Sequence, residues 1–128
     1  MGFFAEYATI NRLLKKQHPI VFYAESRHYF QYFDSLIGDL SVAGEKIVYI
    51  TSDRLDPLLK SAFYGMDVFY CRSMLAFLFK KIRAKVVIMT KPDLDNYIFK
   101  RSPFVEKYIY VFHAAVSTHQ QYRQHAFD

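Results

Sequence analysis

The chain has 128 residues, of which 52% are hydrophobic, 19% aromatic and 23% charged, with a formal net charge of +5. That size and balance describe one globular domain with its own core, and exclude a disordered tail or a small fold that needs staples. No apolar run approaches the roughly 20 residues a bilayer-spanning helix needs, and the amino terminus lacks the basic-then-apolar order of a secretory signal.

The single Cys71 forbids an internal disulfide and suits a reducing cytoplasm. The positive charge favours an anionic partner, whether phosphate ester, anionic lipid or nucleic acid, without choosing among them. Abundant Phe and Tyr point to surface used for a partner or a second domain as well as to core.

Residues 3–17 place Phe3, Phe4, Tyr7, Ile10, Leu13 and Leu14 at helical spacing, with Arg12, Lys15 and Lys16 at the far end. This predicts an amphipathic leading helix over 1–18, followed by the main domain over 19–128. The helix suits either an anionic membrane surface or packing on the core. His18-Pro19 stops it, because the residue before proline avoids the α region.

Ile20 to Ala24 reads as a strand buried on both faces. After the polar break Glu25-Ser26-Arg27-His28, a helical pattern runs through Tyr29, Phe30, Phe33, Leu36, Ile37 and Leu40 and ends near Gly44. Lys46–Thr51 is the second strand, and Ser52-Asp53 are expected to cap a short helical turn around Asp56 to Phe63. Val68–Cys71 is a third strand. Ser73 to Arg83 reads as a helix with Met74, Leu75, Leu78, Phe79 and Ile82 inward. Lys85–Thr90 is a fourth strand, and 107–112 a fifth.

Short apolar runs alternating with helical patterns predict an α/β fold: a Rossmann-like parallel sheet of about five strands, with helices on both faces. There is no internal repeat and no flexible linker. The chain stops at Phe127-Asp128 soon after the last strand, so the sheet looks unfinished and half of a larger architecture is expected.

In such a sheet every loop after a strand lies on one edge, where ligands bind. All five of these segments carry Arg, Lys or His, and several carry hydroxyls, which suits an anion pocket built on helix-start N–H groups and guanidinium forks. Ordinary helix capping explains the same residues. The last segment begins at His113, which suits general acid–base work or, more plainly, the capping of a strand end.

No glycine fingerprint for a dinucleotide or nucleoside triphosphate is present, so no cofactor is expected. Asp93, Asp95 and Asn96 read as a turn, although acidic loops also take part in metal binding or act as a base. His113, His119 and His125 recur at a step that a helix turns apart, so no metal is expected. The basic residues are scattered, and no nucleic acid is expected as a partner.

Four sets of residues carry a family likeness: Val48–Asp53, Val87–Leu94, Lys100-Arg101-Ser102-Pro103, and Tyr110–His113 through Ser117-Thr118-His119 to Ala126-Phe127-Asp128. Together they resemble the amino-terminal half of the CDP-glycerol glycerophosphotransferase family, the teichoic-acid-type polyol-phosphate polymerases. The resemblance implies the N-terminal domain of a GT-B glycosyltransferase architecture: two Rossmann-like domains across a cleft, this one on the acceptor side. It implies a polyol-phosphate or glycan acceptor, and a CDP-glycerol donor held by a C-terminal domain that has no counterpart here. It also implies work at the cytoplasmic membrane face in building a cell-surface polymer.

His113 matches the family's base on the acceptor hydroxyl; Ala114 stands where glycine often follows it. Arg27 and Arg54 are candidate anion contacts from their loop positions, and Ser117, Thr118 and His119 candidates for orienting the acceptor. A chain of this kind, whether truncated or a remnant, is expected to be inactive alone and to self-associate through an exposed cleft face. The alternative is a non-catalytic Rossmann-like module that binds an anionic glycan, a lipid headgroup or a protein.

Overall fold

A computed structural model describes residues 3–60, 65–90 and 102–111, with side chains from residue 5 onward. Five strands, β1 (His18–Ala24), β2 (Ile47–Thr51), β3 (Asp67–Tyr70), β4 (Ala84–Met89) and β5 (Val105–Tyr110), form one sheet in the order β3-β2-β1-β4-β5. Every neighbouring pair is parallel. The expected Rossmann-like α/β fold is therefore present, with the order in which a doubly wound sheet reverses direction beside its first strand.

Burial explains the order. β1 occupies the centre, and Ile20, Val21, Phe22, Tyr23 and Ala24 are all buried. Its alternating side chains feed two separate cores, Val21 and Tyr23 into one, Ile20, Phe22 and Ala24 into the other. β5, at the edge, exposes Glu106 and Lys107, charges that discourage pairing by a foreign strand.

Helices cover both faces. On one face α1 (Phe3–Leu13) contributes Ile10 and Leu13, and α3 (Leu75–Lys81) contributes Leu75, Leu78 and Phe79. Tyr23 and Phe79 meet edge to face there, with centroids 5.1 Å apart. On the other face α2 (Phe30–Val42) packs Phe33 and Ile37 against Phe22 and Tyr49. Ile10 and Leu13 of the leading helix are thus spent on the sheet, while Tyr7 is half exposed.

The helix boundaries are tighter than periodicity predicts. α1 ends at Leu13, not 17, where His18 Nε2 lies 2.7 Å from the last helical carbonyl, that of Leu13. α3 spans Leu75–Lys81 rather than Ser73–Arg83, and Met74 precedes it, only partly buried. α2 closes as expected near Gly44, whose φ of 85° lets the Gly44 and Glu45 amides donate to the Ser41 and Leu40 carbonyls.

The turn after β2 departs from expectation more sharply. Among the described residues it holds a 3₁₀ turn, Pro57–Leu59, capped by Asp56 and not by Ser52-Asp53, and the rest of the expected turn, 61–63, lies outside them. Asp56 Oδ1 accepts from the Leu58 amide while its Oδ2 accepts from the Thr51 hydroxyl. Asp53 is turned the other way, toward Arg27 and the Leu55 amide. Among the described residues no helix is long and apolar enough to cross a membrane.

Candidate functional site

The parallel register brings the segments after β1, β2 and β3 to one edge. They line a hollow of about 1010 Å³. The first supplies Ser26, Arg27 and His28, the second Ser52 and Arg54, the third Arg72 and Ser73. Both sequence-predicted arginines, Arg27 and Arg54, are exposed here. Arg72 and His28 join them, as one consequence of strand order.

The floor is held by a chain of hydroxyls. Ser52 Oγ donates to the Cys71 carbonyl at 2.6 Å, so the Tyr23 hydroxyl, 2.8 Å away, donates to Ser52. Burial raises the Tyr23 pKa well above that of a free phenol, outweighing the contact with Ser52, and keeps it a donor at neutral pH. This strut ties the ends of β1, β2 and β3 together beneath the arginines.

The backbone amides expected to receive a ligand's oxygens are taken by the chain's own groups. Ser26 Oγ accepts from the His28 amide. Asp53 accepts from the Arg27 amide at 2.9 Å, from Arg27 Nε at 2.8 Å and from Arg27 Nη2 at 3.3 Å. Burial works to raise the Asp53 pKa, but those bonds, the Leu55 amide and the guanidinium charge lower it on balance.

Glu6, reaching over from α1, accepts from the Arg72 and Met74 amides at 2.8 and 3.3 Å. Its desolvation is likewise outweighed by these bonds and those from Ser73, and its pKa is lowered. The phosphate-cradling amides of Arg27, His28, Arg72 and Met74 are therefore already filled, by the Asp53 and Glu6 carboxylates and the Ser26 hydroxyl. The side chains that line the hollow are Arg54, whose guanidinium lies 5.8 Å from the Tyr70 ring centroid, the exposed Arg72, and His28.

Glu6 was not legible as a site residue, since nothing local marks it and its partners lie 66 and 68 positions away. His28 and Arg72 were visible only as members of their loops. The candidate residues His113, Ser117, Thr118 and His119, and the Asp93–Asn96 turn, lie outside the described residues. The described chain leaves β5 on this same edge, where the Val111 amide donates to the Met89 carbonyl at 2.8 Å.

The arrangement is suited to binding and orienting an anion with exposed cationic side chains over a fixed hydroxyl floor. Among the described residues no group of three or more His, Cys, Asp or Glu side chains is placed to hold a metal ion. No protein-family model, no curated protein and no solved structure matches the chain.

Proposed function

We propose that this chain is the acceptor-side domain of a CDP-glycerol-dependent glycerophosphotransferase, acting with a donor-binding domain at the inner face of the cell membrane. One observation carries the reading furthest: Arg27, Arg54, Arg72 and His28 gather around one hollow, on the edge where the chain leaves β5 toward His113. Phosphoryl transfer is mostly positioning and charge stabilisation, so it asks for cations near the phosphates and a base for the attacking hydroxyl. Arg54 and Arg72 supply the first for a polyol-phosphate or glycan acceptor. His113 supplies the second by taking the acceptor's hydroxyl proton as its oxygen attacks the donor's glycerol-bearing phosphorus and CMP leaves.

The test is CMP release from CDP-glycerol by the intact protein as the cell makes it. His113→Ala should lower turnover by about a hundredfold or more, with donor affinity retained. An equal loss of donor binding would remove His113 from that role.

A second reading, a non-catalytic module for an anionic glycan, lipid headgroup or protein, is favoured by the Asp53 and Glu6 carboxylates that fill the backbone donors. It predicts acceptor binding with no turnover and no effect of His113→Ala.

A further inference from the structure

The opposite edge of the sheet carries a feature the transfer chemistry does not use. α1 and α3 both run against the strands. Glu6, early in α1, bonds to the loop after β3, whereas the last turn of α1 meets the starts of β1 and β3. α3 likewise starts from that loop and ends at Lys81, capped by Ile82 two residues before β4. Both helix carboxyl ends therefore lie at the amino-terminal edge of the sheet. His18 joins them, its ring at the Leu13 carbonyl and its amide donating to the Arg83 carbonyl at 2.9 Å.

The consequence is a gathering of cations: Arg12 in the last turn of α1 with Lys15 and Lys16 just beyond it, and Lys80 and Lys81 in the last turn of α3 with Arg83 just beyond it, all exposed. Glu45, Asp67 and Glu106 oppose them only in part. Arg83 lies 5.5 Å from the ring centroid of Phe104, which precedes β5 on the same edge and is 47% exposed. Beside Arg12, Lys15 and Lys16 opens a hollow of about 330 Å³ over Leu13, Val48 and Phe69. α2, on the other face, carries only the acids Asp34 and Asp39. Among the described residues the cations of this edge outnumber its carboxylates, whereas the opposite edge sets Glu6, Glu25 and Asp53 against Arg27, Arg54 and Arg72.

A parallel sheet sends the carboxyl ends of its covering helices to this edge, and cations there complement the dipole, but neither calls for an exposed aromatic ring beside them. The geometry points to the amino-terminal edge, Arg12-Lys15-Lys16 with Lys80-Lys81-Arg83, as the surface that docks on an anionic lipid bilayer. The ammonium and guanidinium groups meet lipid phosphates, and Phe104 enters the headgroup layer. The proposal rests on the peripheral placement suggested above and is independent of the transfer chemistry. It replaces insertion of the leading helix with docking by a rim. The anion hollow is then held about 20 Å off the membrane, the length of a strand of six residues.

The test is flotation of the intact protein with vesicles of phosphatidylcholine alone or containing 30 mol% phosphatidylglycerol, the fraction being roughly that of a strongly anionic leaflet. Binding is expected only to the anionic vesicles, falling as salt rises. Lys15→Gln/Lys16→Gln/Lys80→Gln/Lys81→Gln should lower the partition coefficient about a hundredfold, whereas Arg54→Gln/Arg72→Gln should leave it unchanged. All four lysines are exposed, so an unchanged circular dichroism spectrum is expected to certify folding.

Equal flotation with neutral vesicles, or indifference to the four substitutions, would overturn the proposal. So would displacement from the vesicles by single-stranded RNA at equal phosphate concentration. Loss of CMP release with vesicle binding intact would count against the transferase reading alone.

Discussion

Glu6 and Arg72, 66 residues apart in sequence, are joined by a 2.8 Å hydrogen bond from the Arg72 amide to Glu6 Oε1. The bond fixes the first helix to the loop after β3. It also fills donors that would otherwise face a ligand.

Glu6 titrates below its ordinary value, so the sign of its pH effect is determined. A group whose pKa is lower folded than unfolded stabilises the fold above its unfolded pKa, and that contribution is lost as pH falls through the folded one. Asp53 adds an effect of the same sign. Stability from urea unfolding should therefore decline from about pH 5 downward. Glu6→Gln should cost about 1–2 kcal/mol at pH 7 and flatten that decline, because the variant has no proton to take up at this site.

Asp53 neutralises Arg27 at the mouth of the hollow, with side chains 13% and 43% exposed. An ion pair this open contributes only about 0.5–1 kcal/mol, so its loss is tolerable. Asp53→Asn removes the charge and keeps one acceptor oxygen, enough for one of the Arg27 and Leu55 amides, which bond Oδ2 and Oδ1 respectively. Inorganic pyrophosphate, titrated by calorimetry, should then bind about threefold to tenfold more tightly, the gain expected from freeing one exposed cation. Arg54→Gln should reverse the gain. Unchanged affinity in Asp53→Asn would mean that the carboxylate does not compete with ligands.

What sequence alone revealed follows from the range of the forces involved. The apolar runs Ile20–Ala24, Lys46–Thr51 and Lys85–Thr90 announced their strands because burial on both faces leaves few polar positions. Strand order was not legible, since it depends on which helix covers which face. Asp56 was passed over for Ser52-Asp53 as a cap, because all three have capping chemistry. The choice was made by Arg27, drawing Asp53 away from a loop 26 positions distant. Arg27 and Arg54 were found because parallel strands deliver every following loop to one edge. Glu6 was missed because a carboxylate in a first helical turn looks like ordinary dipole complementation.

Cys71, beside the same hollow, is buried, and its thiol pKa is pushed up to about 12 by that burial and then by the charge and hydrogen bond of Glu6. The thiolate is the reactive species. Ellman's reagent at pH 8 should therefore leave the folded chain untouched over minutes and titrate one thiol in urea. Rapid reaction without denaturant would show that the loop after β3 opens readily.

Tyr49 offers the sharpest test of the packing. Its ring is wholly buried, stacked with Phe22 at 6.4 Å and edge-on to Phe30 and Phe33. Its hydroxyl finds no hydrogen-bond partner among the described residues. Burial, and then the nearby Asp56 carboxylate, raises its pKa, so the phenol stays protonated and its O–H goes unanswered. An unmet buried hydroxyl costs about 1–3 kcal/mol. Tyr49→Phe removes that cost and leaves the ring contacts intact. The variant should therefore match or exceed the parent in urea stability, by up to about 1 kcal/mol, with an unchanged m-value. A loss of that size instead would mean that the hydroxyl is bonded, and that the core between β2 and α2 has a polar element supporting it.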